Sequence, residues 1–490
     1  WSKPCGYNYH PSRETLYHIF NRQMSGNCIN AQKIVDDFVS HQAPVLMKEK
    51  EYNLGSNNKV FASRWLDDKQ VVFGTKCNKL MVMNVYTGRT IQIPSLKSSD
   101  DSSPADCPCG IHAIALNPSQ SLLATGAENT NDLAVYMLPT FDPVMVGECS
   151  HSDWIFDIEW VDDEYVLTGS RDSQLALWRV ENLDSSDSTE KKSLQFPEYV
   201  IKKPEVVKLC DKAQKVRALC FDYNRKVRSL WLIFTRAEVY MEEVSKAEVI
   251  LWPRCPESLN TDIDFVKVVP LSQVSIFVNR CFNMCFQYLA LKAQIIPRFQ
   301  LGCRIWEQKL YDFFFQELGV LSLNAYFHIW DVETFSPVSS RKLFHSRENV
   351  CMAVSIDKTM YAVGSQSHIN LVDPRSPNTL TTVISKYRGG GVRSLTFKED
   401  ILTIGTGVGH VLFFDVKGGK YIETECEQVC SLKVGKGWLL HDDNYREFFM
   451  DHYYPNAIYT HQYDHTGTRL FTAGGPLPAG LWGNYAGLWH

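Results

Sequence analysis

Short runs of alternating apolar and polar residues recur along the chain from about residue 57 onward. Each unit opens on a Val or Ile and often closes on an aromatic side chain. The openings are Val60-Phe-Ala-Ser-Arg-Trp65, Ile111-His-Ala-Ile-Ala-Leu116, Ile155-Phe-Asp-Ile-Glu-Trp160, Val216-Arg-Ala-Leu-Cys-Phe221, Val350-Cys-Met-Ala-Val354, Val392-Arg-Ser-Leu-Thr-Phe397 and Ile458-Tyr-Thr-His-Gln-Tyr463. A second run in each unit ends on small residues, as in Val71-Val-Phe-Gly-Thr75, Val166-Leu-Thr-Gly-Ser170 and Leu402-Thr-Ile-Gly-Thr406. A third is apolar, as in Leu175-Ala-Leu-Trp178 and Val411-Leu-Phe-Phe414. Period-two alternation bounded by turn residues reads as short strands. Units of about 40–45 residues with four such strands read as a propeller of WD type. The expected fold is therefore all-β: a seven-bladed WD-repeat β-propeller. Open sheet edges are avoided, so the seventh blade needs a strand from elsewhere, and Pro44–Tyr52 is the candidate.

Blade three carries the fullest repeat signature. His151, Ser170, Asp172 and Trp178 have the spacing of a structural hydrogen-bond tetrad that ties an outer turn to the third strand. Ahead of the propeller, residues 1–42 read as helical. Leu16, Ile19 and Phe20 fall at helical spacing, as do Ile34, Val35 and Phe38, with polar residues 21–30 between them. Residues 421–456 form a long connection in which Tyr445, Phe448 and Phe449 predict a short helix.

The seven openings lie 51, 44, 61, 134, 42 and 66 residues apart. The 134 is not a loop length. Residues 227–316 show neither repeat nor clean period, and removing them brings 134 down to 44, an ordinary blade. The domain reading is thus 1–42, a helical segment; 43–226, the closing strand and blades one to four in part; 227–316, an insertion; and 317–490, the remainder. Val227-Arg228 can be encoded as a splice-donor start, and Phe313-Phe314-Phe315-Gln316 as a pyrimidine tract with an acceptor end. A translated intron is the expectation, with an inserted domain as its rival. The apolar part of this stretch, Val274–Phe299, is broken by Asn279, Arg280 and Lys292, which argues against a membrane span.

Composition narrows the functional classes. The chain is 44% hydrophobic and 21% charged, which is globular rather than disordered. Its net charge of -5 gives no global attraction to nucleic acid or anionic membrane, so any charge-driven site is local. Fifteen scattered cysteines fit reduced thiols in cytoplasm and nucleus. Cys107 and Cys109 lack a second ligand pair, so no metal and no cofactor is expected. The first residue is Trp1 rather than Met, so the sequence is read as a fragment.

Longer motifs carry a resemblance. They include Asn58-Lys-Val-Phe-Ala-Ser63, Gly74-Thr-Lys-Cys-Asn78, Asp153-Trp-Ile-Phe156, Lys215-Val-Arg-Ala-Leu219, Arg347-Glu-Asn-Val-Cys351 and the ending Ala473-Gly-Gly-Pro-Leu-Pro-Ala-Gly-Leu-Trp-Gly-Asn-Tyr-Ala-Gly-Leu-Trp489. The chain resembles the DDB/cullin-4-associated factor 12 family over roughly 14–226 and 317–490. The resemblance implies a non-catalytic substrate receptor of a cullin-4 RING ubiquitin ligase. Such a receptor docks on a DDB-type adaptor and recognises substrates with acidic C-termini ending in two glutamates. By similarity to other cullin-4 receptors the N-terminal helices are expected to plug a groove of the adaptor; the alternative is a pair of helices that caps the propeller's own bottom face. A Trp-Asp-x-Arg motif is expected to help; Val372-Asp373-Pro374-Arg375 keeps Asp373 and Arg375 and lacks the Trp.

A propeller's first strands line its channel, so aligning the seven openings yields two rings of positions. Together with the turn after the second strand they offer Lys59, Lys76, Arg171, Lys215, Arg217 and Arg393 to one mouth. His112 and Arg347 are outer members. No Asp or Glu occupies either ring. Guanidinium groups pair carboxylates in bidentate fashion and lysines add point charge. Phe61, Trp154, Phe156 and Tyr459 wall the site. The contrary reading is of rim cations paired locally, with Arg171 beside Asp172 the clearest case. A WD scaffold without a ligase role is the alternative function. A metal-dependent propeller hydrolase would need inward acids or histidines where these rings place cations.

Overall fold

The computed structural model describes residues 41–99, 102, 104–105, 109–181, 199–221, 317–344, 347–355, 360–374, 379–387, 389–424, 427–450 and 452–490. They form a seven-bladed β-propeller of sheets ordered from the channel outward, antiparallel throughout except that Val200–Lys202 adds a parallel outer strand to Asp142–Gly147 in the second blade. The inner strands are Val60–Trp65, Ile114–Leu116, Ile155–Trp160, Val216–Phe221, Cys351–Ser355, Val392–Lys398 and Asn456–Tyr463. Leu16, Ile19, Phe20, Ile34, Val35, Phe38 and Arg375 lie outside the described residues. So do residues 222–316.

The recurring small residue of the second strand has a packing cause. A Cβ added to Gly169 would stand 2.6 Å from Val216 Cγ1, and one on Gly364 2.7 Å from Val392 Cγ1. Gly74 stands in the same relation to Ile111, and Gly405 to Ile458. At these four junctions the opening β-branched residue of the next blade fills the space that glycine leaves, so the two halves of the repeat signature are one contact there, whereas Gly319 makes room for Tyr361 instead. The closing aromatics also bind blade to blade. Trp160 Nε1 donates to Ala115 O at 3.2 Å and Trp65 Nε1 to Gln462 O at 3.0 Å.

Glu49–Glu51 pairs antiparallel with the last strand, Gly483–Trp489, placing Glu49 opposite Trp489. Lys48 and His490 exchange backbone bonds at 3.0 and 3.1 Å. The circle thus closes by borrowing the outer strand of the seventh blade from the start of the propeller segment. Residues 41–46, at the start of the predicted closing segment, are helical instead. In blade four, Val216–Phe221 pairs with Glu317–Ser322, and Phe221 faces Leu318. Two strands separated by a long stretch of sequence therefore complete a four-stranded blade as neighbours.

In blade three, His151 Nδ1 meets Asp172 Oδ2 at 3.3 Å and Trp178 is fully buried. The hydroxyl joining histidine to indole belongs to Thr168, not Ser170. It lies 2.7 Å from His151 Nε2 and accepts from Trp178 Nε1 at 3.0 Å. Ser170, at the strand's end, donates to Asp153 O instead. Burial opposes ionisation of Asp172. The hydrogen bonds from His151 and from the Gln174 and Ser152 N–H groups outweigh it and hold the carboxyl below its ordinary range.

The connection before blade seven contains the helix Asp443–Phe448, capped by Asp442, which accepts from Tyr445 N at 2.8 Å.

Candidate functional site

Five inner strands carry the same irregularity. The pairing register slips by one residue at Val60/Ala62, Ile155/Asp157, Val216/Ala218, Val392/Ser394 and Ile458/Thr460. A β-bulge re-aims a side chain, and the residues at these slips are Phe61, Phe156, Arg217, Arg393 and Tyr459. With His112 and Cys351 they line a central cavity of about 200 Å³.

One wall is aromatic. Phe61 stacks on His112 at 4.5 Å, and Trp154 lies parallel on its other side at 6.0 Å. Phe156 meets His112 edge-on at 5.1 Å. Enclosure, then the fields of Arg217 and Lys76, depress the His112 pKa to about 3. The ring is neutral at physiological pH, and its buried Nε2 has no partner. The sequence ring had put His112 at the outer edge; the stacking draws it into the channel wall.

Arg217 rests over the Phe156 ring at 4.0 Å, and its buried Nε has no hydrogen-bond partner. Burial, then the neighbouring Arg393, lowers its pKa from 12.5 to about 10. Arg393 Nε donates to Gly390 O at 2.9 Å. No carboxylate among the described residues lies within ion-pair distance of either guanidinium.

The other predicted cations are distributed differently. Lys59 is buried, with its ammonium donating to Pro478 O and Leu481 O at 2.7 Å each. Burial, then Lys76, lowers its pKa to about 7. Lys76 donates to Ala479 O at 2.8 Å. Both lysines thus hold the loop 477–482 at the rim. Arg171 lies over Trp154 at 4.6 Å and pairs with Asp153 at 3.5 Å. Asp172, its sequence neighbour, is taken by His151. Arg347 is exposed and lines a separate groove with Lys342, Phe344 and His368. Asp373 offers its carbonyl oxygen to Arg341 at 2.9 Å.

Lys215 stands out by its backbone. Its φ is +62°, in the left-handed region, where the equivalent residues of blades two and six are Gly110 and Gly391 at +81° and +70°. A lysine there costs the chain on the order of 1 kcal/mol relative to an unstrained backbone. Sequence alignment of the strands missed Arg64, Asp157 and Glu159 deeper in the channel. They lie further along the inward faces, and period-two counting past the bulge would have found them.

Among the described residues no group of His, Cys, Asp or Glu is arranged to hold a metal ion. What the fold defines is a WD-type propeller with a cavity of mixed aromatic and charged lining at its centre. The chain matches the family described as DDB1- and CUL4-associated factor 12 beta propeller over residues 43–255 and 305–490, and it belongs to that family. Residues 1–42 and 256–304 are unmatched; the latter fall inside the stretch that breaks the repeat, although the match extends past the expected edges of that stretch into 227–255 and 305–316. Membership points to a substrate-receptor role in a cullin-4 ligase and to association with its DDB1 adaptor. Receptor propellers of this kind are typically non-catalytic.

Proposed function

We propose that this chain is the substrate-recognition subunit of a cullin-4 RING ubiquitin ligase, and that it binds acidic C-terminal ends of the Glu-Glu class in its channel mouth. The observation that carries the reading is Arg217: a half-buried guanidinium near Arg393, whose enclosed Nε is unsatisfied and which has no carboxylate partner among the described residues. A buried cation is normally paired. Here the protein leaves the pairing to a ligand. Two side-chain carboxylates and a terminal carboxylate supply the anions, and the wall of Phe61, His112, Trp154 and Phe156 keeps water from them. Lys215 adds charge at the rim from a conformation that glycine would hold at lower cost. Discrimination follows because an end lacking one carboxylate leaves a buried donor unmet. Ubiquitin transfer itself belongs to the ligase's RING and E2 components. The docking segment for the adaptor is the N-terminal region with Leu16, Ile19, Phe20, Ile34, Val35 and Phe38.

Fluorescence anisotropy with a peptide ending in Glu-Glu tests this. Micromolar or tighter binding is expected, weakened by C-terminal amidation. No binding by folded protein would move the reading to a scaffold without a ligase role.

A further inference from the structure

Below the two arginines the channel changes sign. Asp157 follows Phe156 on the bulged strand and also lines the cavity. Its Oδ2 accepts from Leu219 N at 2.7 Å and its Oδ1 from Ile158 N at 3.0 Å. Glu159 comes next on the same face. Neither carboxylate has an ion-pair partner within reach among the described residues. The charged and titratable groups around them are Arg64 from blade one, and Arg217 and Cys220 from blade four. Further round the cavity stand Arg393, Cys351, Tyr459, His112 and His461. Burial keeps both histidines neutral, with pKa values of about 3 and about 4. It pushes the Cys351 thiol up to about 12 and raises the Tyr459 hydroxyl.

We propose that Asp157 and Glu159 form an acidic floor that limits how deep an acidic chain end descends, and that filling the arginine site draws a proton onto that floor. This rests on the acidic-terminus reading above. The physical ground is that Asp157 shares one narrow cavity with Arg64, Arg217 and Arg393, and that an incoming carboxylate carries the same sign as Asp157. Arg217 lines the same cavity as Asp157 and acts on it electrostatically, so its field is shared between Asp157 and any incoming carboxylate. Burial already raises the pKa of both floor carboxyls, and repulsion from Asp157 adds to the effect at Glu159. A bound anion pushes in the same direction. Linkage is reciprocal, so whatever protonates the floor must also tighten the anion.

The test uses the full chain and calorimetry with a Glu-Glu peptide, in two buffers of different ionisation heat near neutral pH. Net proton uptake is expected. Affinity should rise about three- to tenfold as the pH falls from about 8 to about 6. Lys59 also gains a proton in this range, so Lys59→Met is the control and must retain the uptake. Asp157→Asn and Glu159→Gln, each assayed separately, should bind more tightly at the higher pH and take up less proton. A second peptide replaces the last Glu by 2-aminoadipate, which is longer by one methylene. Wild-type protein should disfavour it, and Asp157→Asn should narrow the gap. Asn retains an acceptor for one of the two N–H groups; if that variant fails to fold, Glu159→Gln and the wild-type proton count still decide. Peptide binding with no proton uptake and an unchanged preference in the variants overturns the floor alone. No binding by wild type overturns both readings.

Discussion

Arg217→Met separates function from stability because the two should move in opposite directions. Methionine keeps an apolar stem over Phe156 and removes the charge. The folded-state pKa of Arg217, about 10, lies below its ordinary 12.5. A base with a depressed pKa destabilises the folded chain while it is charged, and that cost fades only as the pH rises through the folded value. At neutral pH it is fully present and is worth roughly 3 kcal/mol. The contact with Phe156, at 4.0 Å, returns about 1–2 kcal/mol of it. Removing the guanidinium should therefore stabilise the fold by about 1–2 kcal/mol, an increase of roughly 1–3 °C in apparent Tm for a propeller of this size. The same change deprives a bound carboxylate of its charge-assisted partner, at about 2–4 kcal/mol, or roughly 30- to 1000-fold in Kd. Differential scanning calorimetry and peptide anisotropy on the same preparation read both quantities. A Tm that falls by several degrees with affinity unchanged would refute the reasoning and make Arg217 a structural residue.

Lys215→Gly should relieve the left-handed strain, leaving the fold unchanged or up to about 1 kcal/mol more stable, while weakening peptide binding several-fold; a clear loss of denaturant stability would contradict it. Gly169→Ala places a methyl group against Val216 and should cost about 1–3 kcal/mol, measured by the denaturation midpoint, whereas a neutral result would mean the blades slide apart freely. Thr168→Val removes the link between His151 and Trp178 and should cost about 1–3 kcal/mol, with Ser170→Ala costing less; the reverse order would restore Ser170 to the tetrad. Transcripts sequenced across the Lys226 and Glu317 codons should mostly lack the segment between them, and dominant retention would favour an inserted domain.

Much of this protein is written locally. A β-branched opening, a glycine some fifteen residues on and an aromatic at the strand's close recur because each blade repeats one contact with the next, so seven blades can be counted without coordinates. The inward positions follow from the same period of two, which is why Arg217 and Arg393 were identifiable as channel residues. The alignment gave no account of where long side chains finish. Lys59 and Lys215 hold the same position, just before the opening Val, yet Lys59 turns to the carbonyls of a loop more than four hundred residues away in sequence. Arg217, which has no ion-pair partner among the described residues, lies at a strand bulge and rests over the Phe156 ring. Thr168 displaced Ser170 for a similar reason: the pairing register places its hydroxyl within reach of both imidazole and indole. The acidic floor under the arginines exists only once seven strands converge, since Arg64, Asp157 and Cys220 come from three different blades. Strand identity is set by near neighbours in the chain, whereas burial, partner choice and charge balance depend on which distant segments close around each group.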